Sequence, residues 1–134
     1  MRNRFSLKSV YGVIPVPVIC SPWLPGRIVG LSLGFAVLVR DDYAQDEPTL
    51  VHELVHCRQF FRSGGLLHFI LYFVSSKYRL RTEIEAYRAE IDSCEANIAL
   101  SRLEESASAL AHGYRLKLSA SECKTLLELA AVKN

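Results

Sequence analysis

The feature that most constrains this chain is the run Pro48-Thr49-Leu50-Val51-His52-Glu53-Leu54-Val55-His56-Cys57-Arg58-Gln59-Phe60. A helix turns by about 100° per residue, so positions four apart stack on one face. His52 and His56 can then present two imidazoles to one ion, with Glu53 placed to reach a water beside it. This HExxH spacing is a zinc-binding one, in which the glutamate serves as general base. Local context favours the helix. Leu50, Leu54 and Val55 give it an apolar side. Asp46 and Glu47 put negative charge at its N-terminus, and Pro48 suits a first turn, where its missing N–H costs nothing. The helix is expected from about Glu47 to Phe61, stopped by Ser63-Gly64-Gly65.

A catalytic zinc keeps three protein ligands and one position for water. Downstream, the chain offers His68, Glu83, Glu85, Glu90, Asp92 and His112. The densest acidic segment, Arg81 to Glu90, reads as helix because alanines and long straight side chains dominate it. Glu83 and Glu90 share a face with Tyr87 between them. Glu83 and Glu85 are about 200° apart and cannot both point inward.

The runs His52-Glu53-Leu54-Val55-His56-Cys57-Arg58-Gln59 and Glu83-Ile84-Glu85-Ala86 resemble the gluzincin metallopeptidases, and among them the very small members called minigluzincins. In that group the third zinc ligand is a glutamate on a second helix, commonly in the pattern Glu-x-x-Ala/Ser-Asp. The resemblance therefore implies Glu83, with Ala86 three residues on, as a ligand. Glu85 does not fit, because Arg88 stands at its alanine position. The chain departs at Tyr87, where larger families carry an aspartate that steadies a histidine ligand. The likeness covers about Pro25 to Glu90 and is specific at the two motifs. It also implies an edge strand above the zinc that pairs with an extended substrate, and a peptide or protein as that substrate.

The expected activity is hydrolysis of peptide bonds through a metal-activated water. His52, His56 and Glu83 hold Zn2+, and Glu53 takes the water proton and passes it to the leaving amine. The oxyanion needs a further donor, with Tyr72, Tyr78, Tyr87, Arg79 and Arg88 as candidates. Tyr87, one turn after Glu83, lies close to the metal in either of two roles, bonded to a ligand or to substrate. Two other readings stay open. One is a zinc-binding structural or regulatory module whose fourth position is closed, with His112 as candidate ligand. The other is an assembly or interaction protein with a vestigial site.

A chain of 134 residues, half of them apolar and 22 % charged, is long enough for one domain with a real core. A single minimal zincin-like domain over 1–134 is expected. Its class is α+β, a small, partly antiparallel sheet packed against the active-site helix and a further helical bundle. The net charge of +2 is too weak, and its basic residues too dispersed, to imply nucleic acid. Cys20, Cys57, Cys94 and Cys123 form no CxxC pair, which argues against a cysteine zinc site. Cys57 reads as a buried small hydrophobe. The basic N-terminus and the apolar run after it mimic a signal peptide, but Pro15 and Pro17 interrupt that run. No stretch reaches the length of a membrane span, and a cytoplasmic location is the default.

Val10 to Cys20 reads as extended, and its prolines suit an edge strand or polyproline segment. Ser21 to Gly26 is a turn region, in which Trp23 reads as a core or rim anchor. Ile28 to Arg40 divides at Gly30 and Gly34 into two short strands or one bulged strand. Within it Gly30, Leu31, Ser32 and Leu33 are the candidate substrate-binding edge, set against a plain scaffold hairpin. Leu66 to Ser75 is apolar nearly all round. A buried helix, a protein partner or a membrane surface at Leu66–Val74 would each account for it, and His68 within it reads as structural. Lys77 to Arg81 is expected to end that helix, and a helix from about Thr82 to Leu100 to carry Glu83, broken at Ser101 or a nearby residue. A helical region ending at Gly113 should follow, with Glu104 and Glu105 on a solvated face. Ser119, with Glu122 three residues on, is expected to cap a last helix over Ala120 to Val132.

Overall fold

Phe5-Ser6-Leu7-Lys8 alternates with the period of a strand, and the segment through Val10 is one: β1 (Phe5–Val10). The computed structural model describes residues 4–133. Tyr11 and Gly12, both at positive φ, turn the chain, and the Val13 N–H closes the turn on the Val10 carbonyl at 3.3 Å. β2 (Ile14–Cys20) then returns antiparallel to β1. A loop leads to β3 (Gly30–Ser32), which turns through Leu33–Ala36 into β4 (Val37–Val39). β3 and β4 are antiparallel, β4 and β2 are parallel, and the sheet order is β1-β2-β4-β3. A 3-10 turn (Asp41–Tyr43) leads into α1 (Glu47–Arg62). The helices that follow are α2 (Leu66–Val74), α3 (Ser76–Asp92), α4 (Ala96–Gly113) and α5 (Ala120–Ala131). The class is α+β, five α-helices and a four-stranded mixed sheet among the described residues.

The described residues gather into two compact units, the first running to His68 and the second starting at Phe69, within α2. In the first unit, α1 lies on the sheet. Val10, Val16, Val18, Val37 and Val39 from the strands meet Leu50 and Cys57 from the helix, all buried. Each such valine contributes about 1.5–3 kcal/mol. Surface pairs such as Lys8–Glu47 at 3.4 Å contribute about 0–1 kcal/mol, so the apolar contacts decide the fold. In the second unit, α3, α4 and α5 pack on one another around Tyr87, Ile91, Leu103, Ala107, Leu110, Cys123 and Leu127. No helix among the described residues is long and apolar enough to cross a membrane.

Several expectations are corrected. β2 is an interior strand, not an edge. Its prolines are tolerated because β4 pairs only from Val18 onward, after Pro15 and Pro17, so in that half β2 has a neighbour on one side alone. The helix carrying Glu83 begins at Ser76, where the Ser75 hydroxyl accepts the Tyr78 N–H, and Lys77 to Arg81 belongs to it. It ends at Asp92, where the Ser93 N–H and hydroxyl turn back onto the last carbonyls. Ser101, the expected break, sits inside α4 with its hydroxyl on the Ile98 carbonyl. Trp23 is no core anchor. It is 87 % exposed in a loop, its N–H donating to the Ser21 hydroxyl.

Candidate metal centre

α1 starts where its sequence says it should. The Asp46 carboxylate caps it by accepting the Thr49 N–H at 3.1 Å and the Thr49 hydroxyl, and Pro48 occupies the first turn. The helix buries Thr49, Leu50, His52, Glu53, Val55, Cys57 and Gln59. On that face the His52 and His56 Nε2 atoms stand 3.1 Å apart, with the rings edge to face at 4.9 Å between centroids. The His56 Nδ1–H donates to the Gln59 Oε1 at 2.9 Å, which leaves Nε2 of that ring with its lone pair. The two Nε2 atoms then either share one proton or aim both lone pairs at one cation. Two nitrogens on a tetrahedral zinc stand about 3.3 Å apart, so the pair fits that ion with little adjustment. Gln59 is fully buried. It was not singled out in the sequence, although its position three residues after His56 on the same face was the available signal.

Glu53 lies against β3, the sheet edge. A Cβ built on Gly30 would meet the Glu53 Cγ and Oε1 at 2.8 Å, so any larger residue there would push the Glu53 side chain aside. Two residues on, the Ser32 hydroxyl is 3.3 Å from the Cys57 thiol. At Gly34, with φ of 86°, a Cβ would fall 2.5 Å from the Phe60 ring. Every second residue of the strand and its turn is therefore small and meets α1, at positions 53, 57 and 60 in order. Leu31, Leu33 and Phe35 alternate with them and are exposed. Leu33 is already in the turn, its N–H on the Ala36 carbonyl at 2.8 Å. Burial pushes the Cys57 thiol up to about 11. It is an inert filler, as expected for a buried free cysteine.

In the second unit, Glu83 is 1 % exposed, and Ala86, Tyr87 and Glu90 on the same side of α3 are buried as well. Glu85 is half-buried. The Tyr72 hydroxyl donates to the Glu83 Oε1 at 2.5 Å. Burial and the Glu83 charge hold the Tyr72 phenol well above its ordinary pKa, so it remains a donor. Tyr87, the catalytic candidate, has its hydroxyl 2.9 Å from that of Tyr114, with the rings edge to face. Burial, then the Glu83 charge, raises the Tyr114 pKa. Arg79 donates to the Tyr72 carbonyl at 2.6 Å and the Tyr114 carbonyl at 2.9 Å, and Arg88 pairs with Asp92. His68 is buried, whereas His112 is exposed with its Nδ1–H on the Ser108 carbonyl of its own helix. Neither Tyr72 as the partner of Glu83 nor Tyr114 was assigned from sequence, because both pairings are non-local.

No protein-family model, curated protein or solved structure matches the chain.

Proposed function

We propose that this chain is a zinc-dependent peptidase of the small gluzincin type, cytoplasmic, with His52, His56 and Glu83 holding one ion. The observation that carries the reading is the His52–His56 pair at 3.1 Å, oriented by Gln59 and followed by a buried glutamate. Two imidazoles and a carboxylate are a donor set suited to zinc. Among the described residues, His52, His56 and Glu83 are the histidine, cysteine and acidic side chains that qualify together as such a set.

A bound zinc ion supplies Lewis acidity, acidifying a water and polarising a carbonyl. Glu53 accepts the proton of the attacking water at its carboxylate and delivers it to the leaving amine. Tyr72 orients Glu83 through its hydroxyl. Tyr87 in this reading is a positioning residue, held through Tyr114 beside the same helix. β3 offers the substrate an antiparallel partner. Among the described residues it ends the sheet and pairs with β4 alone, and its second edge faces an extended peptide lying along Gly30 to Leu33 in this reading.

The test compares wild type with Glu53→Gln on a peptide library. Glu53→Gln is expected to keep fold and zinc and to lose cleavage, because an amide cannot accept the proton. In parallel, Glu83→Ala should lose most of its zinc while Glu85→Ala retains it. Equal zinc in those two variants removes Glu83 from the set. A zinc-loaded wild type that cleaves nothing favours the structural or interaction module instead.

A further inference from the structure

Helix α2 carries its apolar face outward. At about 100° per residue, Leu66, Leu67, Ile70, Phe73 and Val74 fall within one arc of roughly 120°. These five residues are exposed, from 51 % at Leu67 to 78 % at Phe73. The opposite arc holds His68, Phe69, Leu71 and Tyr72, all buried or half-buried. The polar atoms of this helix face inward and hydrocarbon faces out, the reverse of an ordinary surface helix. Five large apolar side chains on one short arc form a patch, not scattered exposure.

The charge along the flanking sequence argues for what covers it. From Leu54 to Thr82 the chain has five basic residues, Arg58, Arg62, Lys77, Arg79 and Arg81, and no aspartate or glutamate. Four of the five are exposed, and Arg79 is engaged with backbone carbonyls. Arg62 precedes α2, and Lys77 and Arg81 follow it one turn apart on α3. We propose that α2 lies in the surface of an anionic lipid bilayer, its outer arc at the acyl boundary and the flanking basic residues on lipid phosphates. Nine residues span about 14 Å, so the helix lies on the membrane and does not cross it. A second copy of the chain is the poorer occupant, because a two-fold contact would bring this basic stretch against itself. A protein groove suited to the five apolar side chains would give no reason for the absence of acid over the whole stretch. The inference is independent of the zinc reading.

The experiment is flotation of the full chain with vesicles of phosphatidylcholine alone and of equal parts phosphatidylcholine and phosphatidylserine. The chain should float with the anionic vesicles at low salt and be released as salt rises. Lys77→Gln and Arg81→Gln should each weaken that binding about fivefold, and Phe73→Asp should abolish it. Melting curves show whether each variant is folded. If Phe73→Asp fails that check, Val74→Asp takes its place, and the two basic substitutions decide independently. Three results overturn the proposal: no flotation of the wild type, equal binding to neutral and anionic vesicles, or equal binding of wild type and the folded aspartate variant. Self-association that is lost in Phe73→Asp, with no flotation, also overturns it and assigns the patch to a second copy.

Discussion

At the scale of single residues, Gln59 is the most informative side chain that makes no claim to bind metal or substrate. It is fully buried and accepts the His56 Nδ1–H at 2.9 Å, so it selects the tautomer that leaves Nε2 available. Such a partner of a ligating histidine is worth about 10–100-fold in metal affinity. Gln59→Leu keeps the volume and removes the acceptor, so zinc binding, measured by competition with a chromophoric chelator, should weaken by that factor. Gln59→Glu restores an acceptor and should recover much of the loss. Unchanged affinity in the leucine variant would show that Gln59 only fills space. The histidine pair itself was legible from a spacing of four. Gln59 obeyed the same helical rule but carries no charge and belongs to no short motif, so its geometry became visible only when its burial did.

At the scale of elements, local chemistry was legible and neighbourhood was not. The Ser119–Glu122 box could be read from two residues three apart, and both of its bonds are formed: Ser119 hydroxyl to the Glu122 N–H, and Glu122 carboxylate to the Ser119 N–H. The carboxylate accepts from both the Ser119 N–H and the Ser119 hydroxyl, and these two bonds hold the Glu122 carboxyl below its ordinary pKa. Its contribution is therefore present above the unfolded-state pKa and is lost as pH falls through the folded one. In thermal unfolding across acidic pH, wild type should lose more stability than Glu122→Gln, and Ser119→Ala should cost about 1 kcal/mol at neutral pH. The end of α3 was misplaced because neither glycine nor proline marks residues 93–95. Ser101 looked like a breaker, yet a serine hydroxyl can bond back to its own helix, as it does to Ile98. The prolines of β2 misled for a different reason. A sequence does not say where along a strand the second neighbour begins.

At the scale of the whole molecule, the proposed ligation by His52, His56 and Glu83 links zinc binding to folding. Zinc would then add to the stability of the folded chain. At free zinc about a hundredfold above its Kd, the gain is about 2.7 kcal/mol. Thermal melts should rise with zinc in the wild type, and most of that rise should be lost in Glu83→Ala. An α+β class followed from strand-like and helix-like periods, but the division within α2 did not, because that helix is apolar on nearly every side and its period could not say which face was inward. A last consequence lies in the row of small residues along β3. A slip of one position against β4 would replace Gly30 by Val29 or Leu31 at the point where even a methyl group would meet Glu53. The same slip would present a bulky side chain to Phe60 in place of Gly34. The side chain proposed to move a proton thus also acts as the gauge that sets the strand's register, and an edge strand of three residues is held in step by a helix it does not hydrogen-bond in the ladder.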